Sequence, residues 1–414
     1  MSHEWEMGFT VSGEEALNFM AKSPFDVVVS NMDMSEMDGI ELLDIVTERY
    51  PETVRIIYSE FSGPKIVLKS AKSTHQFLAK PCSAEKMKYT IERACKLQDL
   101  LRNETLRKIV AGIKKLPSLP KLYSLIVAEM QSEDASLKKV GHIISQDISM
   151  SAKILQLVNS PTFDLPQKIA NPQQAAVFLG IDTLKALVLS IHVFSSFTED
   201  SELFWFSLAD MQKRSIKVGK LAGDIARAET DDDKVVEEAL IAGILHDIGR
   251  LIMLKIPEQC IMIMDFIERT GCDLVEAEYA ILKASHAELG AYLLGLWGLP
   301  GNVVEAVAFH HNPSKLLDDV FIMPAEPSNK TKDKNKDKIK SSGTDSKSQP
   351  AKKLLKEFTA VTAVHVANSL LMQESSPGTT DFPYIDERYL DQLNLTDKLP
   401  EWMEYCNKIK MEDA

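Results

Sequence analysis

Over its first hundred residues the chain alternates short apolar runs with stretches of helical period. Val27–Ser30, Arg55–Ser59 and Gln76–Ala79 have the length and β-branched or apolar character of buried strands. Gly13–Ala21, Gly39–Tyr50 and Ser83–Leu101 carry apolar residues three and four apart, the spacing of one helix face. Strands alternating with helices predict a parallel sheet covered by helices.

From about Asp99 the strand signal disappears and helical patterns run on. Helices are predicted over Leu106–Ile113, Lys121–Gln131, Leu137–Ser145, Ser149–Asn159, Pro172–Leu179, Asp182–Phe197, Ser207–Ala228 and Val235–Leu254. Three more follow up to His311. Leu116-Pro117-Ser118-Leu119-Pro120 reads as a rigid turn between the first two. Ser328–Lys353 breaks the pattern: alternating lysines from Lys330 to Lys340 lead into a Ser/Gly/Pro stretch that cannot bury a core. Helical pattern resumes over Leu354–Met372, and a short helical tail closes the chain. The expected organisation is an α/β module over 1–98, an all-α module over 99–327, a disordered Lys/Ser-rich insertion over 328–353, and C-terminal helices over 354–414 that complete the all-α module.

Composition narrows the function classes. The 414 residues suffice for two or three cores, and 45% hydrophobic with 26% charged residues describes an ordinary globular chain. No apolar run approaches the roughly 18–20 residues of a membrane span. Five scattered cysteines without a CxxC pair favour free thiols in the reducing cytoplasm, and no signal-peptide pattern opens the chain. A net charge of −13 argues against nucleic acid as a partner, because phosphate backbones need a basic surface.

The chemistry-bearing residues are histidines placed on helices. Ala242-Gly243-Ile244-Leu245-His246-Asp247-Ile248-Gly249-Arg250 puts an imidazole and a carboxylate side by side on a helix buried by Leu240, Ile241, Ile244, Leu245 and Ile248. Ser285-His286-Ala287-Glu288 has the form of a capping box, which places His286 in a first helical turn. A helix N-terminus disfavours imidazolium, so His286 is expected neutral and able to donate a lone pair. A third helix, Asn302–His311, delivers His310 and His311 as a pair. Each histidine taken singly has a bland reading as a core or helix-end hydrogen-bonding residue. Together, neutral imidazoles with one carboxylate suit a divalent transition metal.

The N-terminal hundred residues resemble response-regulator receiver domains. The likeness rests on Gly13-Glu14-Glu15-Ala16-Leu17, the strand and loop Phe25 to Gly39 with its Met37-Asp38-Gly39 turn, the hydroxyl of Ser59, and Lys80-Pro81. It implies a flavodoxin-like sheet with Ser59 and Lys80 as switch-type residues. Trp5–Phe9 resembles the second receiver strand. The first strand, its acidic pair and the first helix do not appear, so the module is expected to be incomplete and degenerate. The phosphate-accepting aspartate of that family falls at Asn31, and an amide is neither a useful nucleophile nor a charge to hold Mg²⁺. No phosphoacceptor is expected, with Asp33 as the alternative acceptor.

Residues from about 106 to 322 resemble the HDOD domain, a helical signalling relative of the HD metal-dependent phosphohydrolases. The matching features are Lys115 through Pro120, Ile143–Asn159 with Ala152-Lys153-Ile154-Leu155, Val177-Phe178-Leu179-Gly180, Leu245 through Gly249, and His286 through Pro300. In an HD phosphohydrolase the first histidine would fall near Arg214 and the closing aspartate near Asn368; a guanidinium cannot ligate a metal and an amide does so weakly. The glycine-tyrosine-proline loop of the HD-GYP phosphodiesterases is replaced here by Asn312-Pro313-Ser314. Asp210, one turn before Arg214, is either a substitute ligand or its surface partner.

The resemblances imply a non-catalytic cytoplasmic signalling protein of bacterial type, in which a receiver-like module is coupled through the helix Met87–Lys108 to an HDOD output module. That output would bind regulatory proteins, a kinase or a cyclic-dinucleotide signalling enzyme, with a homodimer and no membrane or nucleic acid involved. His246, Asp247, His286, His310 and His311 would cross-link helices, either without a cofactor or around one divalent transition metal. The alternative is a phosphohydrolase or phosphodiesterase acting on cyclic dinucleotides or nucleotides.

Overall fold

The computed structural model describes residues 5–34, 36–59, 73–100, 121–130, 136–159, 169–196, 207–254, 256–317, 357–372 and 384–411. The predicted helix 106–113, the turn 116–120 and the insertion 328–353 lie outside the described residues.

The N-terminal module runs α1 (Gly13–Met20), β1 (Val27–Ser30), α2 (Gly39–Arg49), β2 (Val54–Ser59), β3 (Gln76–Ala79) and α3 (Ala84–Leu100). Ser12 and Asp38 start α1 and α2 by accepting from the backbone N–H groups of Glu15 and Glu41, as N-cap side chains do. The three strands are parallel in the order β1-β2-β3, with Val27 opposite Val54 and Ile56 opposite Gln76. Trp5–Phe9 forms no strand: Met7, Phe9 and Val11 are exposed, and among the described residues the segment has no ladder partner.

Alternation along β2 sends neighbouring residues to opposite faces. Ile57 packs with Met32, Ile40 and Leu43 beneath α2. Val54 and Ile56, with Leu78 of β3 and Ala94 of α3, instead join the large core that also contains Tyr292 and Trp297 of the helical part. The sheet thus has one face buried within its own module and one buried against the next.

The helical part contains α4 (Lys121–Met130), α5 (Leu137–Ser145), α6 (Ile148–Val158), α7 (Pro172–Leu179), α8 (Ile181–Ser196), α9 (Leu208–Glu229), α10 (Asp233–Leu245) and α11 (Ile248–Met253). Then come α12 (Pro257–Thr270), α13 (Leu274–Leu282), α14 (His286–Leu296), α15 (Gly301–Phe309), α16 (Ala360–Met372), α17 (Glu387–Leu393) and α18 (Leu399–Met411). The expected single helix Val235–Leu254 is two helices, broken at His246-Asp247. The break lets α11 turn and pack against α14. Four helices, not three, fill the stretch from Pro257 to Phe309. Gly271, in the left-handed region at φ 71°, ends α12, and Asp273 caps α13.

Helix α10 is central, packed on α8, α9, α15 and α16. Helix α16 lies across α9, α10 and α15, so the chain beyond residue 357 is part of the same core. Trp402 of α18 is fully buried and donates from Nε1 to Glu229 Oε1 at 3.0 Å, fastening the C-terminal helix to α9. Among the described residues no helix is long and apolar enough to cross a membrane.

Candidate metal centre

Three chain reversals aim imidazoles at one point. His246 caps the C-terminus of α10 and its Nδ1 lies 2.7 Å from Gly243 O; a carbonyl only accepts, so Nδ1 carries the proton and Nε2 keeps its lone pair. His310 repeats the device at the end of α15, with Nδ1 2.7 Å from Val307 O. His286 opens α14 behind the predicted capping box, in which Ser285 and Glu288 satisfy each other's backbone N–H. Its orienting partner is Glu278 of α13, wholly buried, which accepts from the His286 backbone N–H at 2.9 Å and lies 2.7 Å from Nδ1. In each case the Nδ1 bond turns Nε2 inward, the arrangement that orients metal-binding histidines.

Donor atoms of Asp247, His286, His310 and His311 all lie within 4.8 Å of one another. His286 Nε2 is 3.2 Å from Asp247 Oδ1 and 3.1 Å from His311 Nε2. His246 stands beside this group of four: its Nε2 is 3.5 Å from Asp247 Oδ2, and its ring packs edge-on against His310 at 5.0 Å between centroids. His246 Nε2 and His310 Nε2 are buried atoms without a hydrogen-bond partner. Buried lone pairs left facing one another carry a desolvation cost that a divalent cation would remove, so the donor set fits one.

The electrostatics match that geometry. Burial, with help from the Arg214 and Arg250 charges, pushes His246 down to about 4 against the opposing pull of Asp247. Burial and neighbouring histidines hold His310 and His311 well below the usual imidazole range. Burial alone would raise Asp247, yet the Arg250 guanidinium, 3.2 Å away at Nε, and the adjoining imidazoles hold its carboxyl well below the usual range. The shift at His286 runs opposite to the one a helix N-terminus gives. Burial and the Arg250 charge work against imidazolium, but the Glu278 charge and the hydrogen bonds to Asp247 and Glu278 outweigh them and raise its pKa.

Arg214 and Asn368 meet. Arg214 Nη2 on α9 donates to Asn368 Oδ1 on α16 at 3.0 Å, across 154 positions of chain. Asp210 is exposed in the first turn of α9 and is not among the clustered ligand atoms. Three functional residues escaped sequence reasoning. Glu278 and Arg250 are described above; His365 of α16 is buried with Nδ1 2.8 Å from His310 O, while its Nε2 accepts from Asp386 N–H at 2.9 Å. A carboxylate and an imidazole inside the apolar runs around Ala277 and Val364 were the available signals, since buried polar groups in such runs need partners.

At the other candidate site Asn31 is exposed and its amide is committed: Oδ1 accepts from Met32 N–H at 2.9 Å and from Lys80 Nζ at 3.1 Å, and Nδ2 donates to Asp33 O at 2.9 Å. Lys80 also lies over the Tyr58 ring, 5.1 Å from its centroid. Ser59 closes β2 and is buried.

A small parallel sheet with a receiver-type Asn/Lys pair at its carboxyl end, joined to a helical module built around histidines, is the architecture of a signalling protein. The chain carries a response regulator receiver domain, matched over residues 2–92, and an HDOD domain, matched over 116–313. It is similar to an uncharacterized protein of Treponema pallidum (strain Nichols), 26% identical over 208 residues, or 49% of this chain and 39% of that one. It therefore spans well under half of that relative's length. Among solved structures, a Marinobacter aquaeolei VT8 protein described as a "Putative signal transduction protein" matches with a TM-score of 0.51 at 14% identity, covering 84% of this chain and 71% of that one. An HDOD domain protein of unknown function from Geobacter sulfurreducens matches with a TM-score of 0.43 at 16% identity, covering 74% and 98%. At such identities the likeness is one of fold.

Proposed function

We propose that this chain is a non-catalytic signal-transduction protein in which the receiver domain is fixed on the HDOD domain and the composite binds regulatory proteins in the cytoplasm. One observation carries the reading: α14 belongs to both sites. Its first residue, His286, stands in the cluster, and its far end is held by the receiver domain. Gln76 Nε2 of β3 donates to Gly295 O at 3.1 Å, and Arg93 Nη1 of α3 donates to Gly298 O at 3.3 Å. Gly298, at φ 78°, ends the helix in the left-handed region, with Leu299 N–H closing back on Leu294 O at 3.1 Å. A helix of 11 residues thus links the histidine cluster to the sheet about 16 Å away.

The coupling route runs through α14 as well as through α3, the described part of the helix first expected to join the modules. A kinase or a cyclic-dinucleotide signalling enzyme is the partner class proposed, with self-association as a second use of the same surfaces. Exposed Val177 and Phe178 on α7, and Ile261 and Met262 on α12, supply apolar contacts of the kind a partner covers. The helical module is assigned to residues 99–327 and 354–414, consistent with the packing of α16 on α9 and α10. Asp247, His286, His310 and His311 would hold one divalent cation, bracing the ends of α10, α14 and α15.

Hydrogen exchange tests the coupling. His286→Gln, at the cluster end of α14, is expected to lower amide protection across Gln76–Ala79 at the other end. Unchanged protection there would remove the basis for the reading. The competing phosphohydrolase reading is favoured by the four converging ligand atoms alone.

A further inference from the structure

Three of the clustered imidazoles are steered by their own Nδ1, and one is not. His246, His286 and His310 lean on Gly243 O, the Glu278 carboxylate and Val307 O, whereas His311 has no hydrogen bond at Nδ1 among the described residues. Its Nε2 still lies 3.1 Å from His286 Nε2. Ring contacts with His310 and His286, at 4.1 and 4.9 Å between centroids, fill space without fixing a direction as a hydrogen bond would. The direction of His311 therefore falls to the backbone turn that carries it. That turn is fastened by the C-terminal part of the chain. His310 O, beyond the last turn of α15 and in need of a donor, accepts from His365 Nδ1 of α16 at 2.8 Å. His365 Nε2 accepts from Asp386 N–H at 2.9 Å, which leaves the ring proton on Nδ1. The Asp386 carboxylate then takes hold of Ser314: Oδ2 accepts from its N–H at 3.0 Å and Oδ1 from its Oγ at 2.7 Å, across 72 positions of chain. The same Oδ1 accepts from Tyr389 N–H at 3.1 Å and starts α17. His311 thus sits between two anchors, His310 O and Ser314, and both lead to Asp386. Lys315 Nζ also donates to Tyr279 Oη at 2.6 Å, but that side chain is 36% exposed and open to water, a looser hold.

We infer that Asp386 and His365 are the positioning residues of His311: they fix the turn from His310 to Ser314 and so deliver the fourth ligand to the cation. Groups behind a metal-bound histidine ordinarily act on its second ring nitrogen. Here the backbone of the turn takes that part, and the start of α17 holds the turn. Whatever loosens α17 loosens the metal. The inference rests on the reading of Asp247, His286, His310 and His311 as a single-cation site, and the test separates the two.

The experiment is a double-mutant cycle on the Zn²⁺ affinity of the full chain, read by competition with a chromophoric chelator. Asp386→Ala is expected to weaken Zn²⁺ binding about 10–100-fold. His311→Ala also weakens it, and the two together should lose no more than His311→Ala alone, because Asp386 acts through that ring. In the Co²⁺ form, Asp386→Ala should reproduce the visible absorption spectrum of His311→Ala. Losses that multiply, as a general weakening of the fold would give, or a Co²⁺ spectrum equal to that of the wild type, would overturn the inference. Should circular dichroism show Asp386→Ala unfolded, Ser314→Ala decides. It removes the Oγ bond and leaves the start of α17 intact, so Zn²⁺ should bind about 2–10-fold more weakly, and unchanged affinity would overturn the inference. A wild type that binds no Zn²⁺ would overturn the single-cation reading, and the positioning would then be read without metal. A nuclear Overhauser effect between the His286 and His311 rings, present in the wild type and lost in Asp386→Ala, would uphold it; one that persists would overturn it.

Discussion

Gly249→Ala adds one methyl group where α11 crosses α14. Its Cβ would overlap the carbonyl oxygen of His286 and stand 2.6 Å from the amide nitrogen of Gly290, both backbone atoms that cannot rotate away. Restoring the 3.4 Å of an ordinary contact requires the helices to part by about 0.8 Å or more. Asp247 lies two residues before Gly249, and its Oδ1 sits 3.2 Å from His286 Nε2, so the parting falls on the cluster itself. Overpacking of this kind costs about 1–3 kcal/mol. At about 2–4 °C per kcal/mol for a domain of this size, the melting temperature should fall by roughly 2–12 °C. The sign is diagnostic, because glycine to alanine inside an unhindered helix stabilises by about 1 kcal/mol. Differential scanning fluorimetry reads the stability, and Zn²⁺ competition against a chromophoric chelator reads the site, where affinity should also fall. A variant as stable as the wild type, with unchanged Zn²⁺ affinity, would refute the claim that this glycine contact sets the geometry of the cluster.

Three further outcomes follow from the same geometry. Glu278→Gln removes the buried charge that orients His286 and should lower stability by about 1.5–3 kcal/mol and metal affinity by about 10–100-fold; urea titration and chelator competition measure both. Stability should fall on acidification. His75, His192, His246, His310, His311 and His365 have lowered pKa values in the folded chain. The unfolded chain therefore takes up protons below about pH 6.5 that the folded chain refuses, and stability present above that pH is lost as the pH falls. His246 alone, shifted to about 4, accounts for about 3 kcal/mol. His286 opposes with its raised pKa, giving stability present below about 6.5 and lost as the pH rises through its folded value. Six lowered histidines against one raised predict a lower melting temperature at pH 5 than at pH 7.5, and an equal or higher one would contradict this assignment. Incubation with acetyl phosphate and Mg²⁺ should leave the chain's mass unchanged, since the acceptor position is Asn31; a stable phosphoryl adduct on Asp33 would show a substitute acceptor at work.

Periodicity alone located most of the elements, because their faces are plain. The three strands and the flanking helices of the receiver domain fall within a residue or two of their predicted bounds. What the pattern hid was set by distant partners. Val235–Leu254 reads as a continuous apolar helix, and only the packing of α11 on α14 explains its break at His246-Asp247. Trp5–Phe9 has a strand's composition but no neighbouring strand to pair with among the described residues. The clustered histidines were legible from their helix-end positions, whereas Glu278 and His365 were not, since a lone polar residue in an apolar run does not name its partner. The upward push on the His286 pKa was missed for the same reason: the local helix terminus is visible in sequence, and the Glu278 carboxylate eight residues away is not visibly its partner.

The central claim is signalling without hydrolysis, and turnover tests it most directly. The wild type and Asp247→Ala, each saturated in turn with Mn²⁺, Fe²⁺ and Zn²⁺, would be assayed on bis-p-nitrophenyl phosphate and on cyclic dinucleotides. The account predicts no turnover in the wild type beyond that of Asp247→Ala. Metal-dependent turnover that disappears with Asp247 would contradict it and make the cluster a hydrolytic centre.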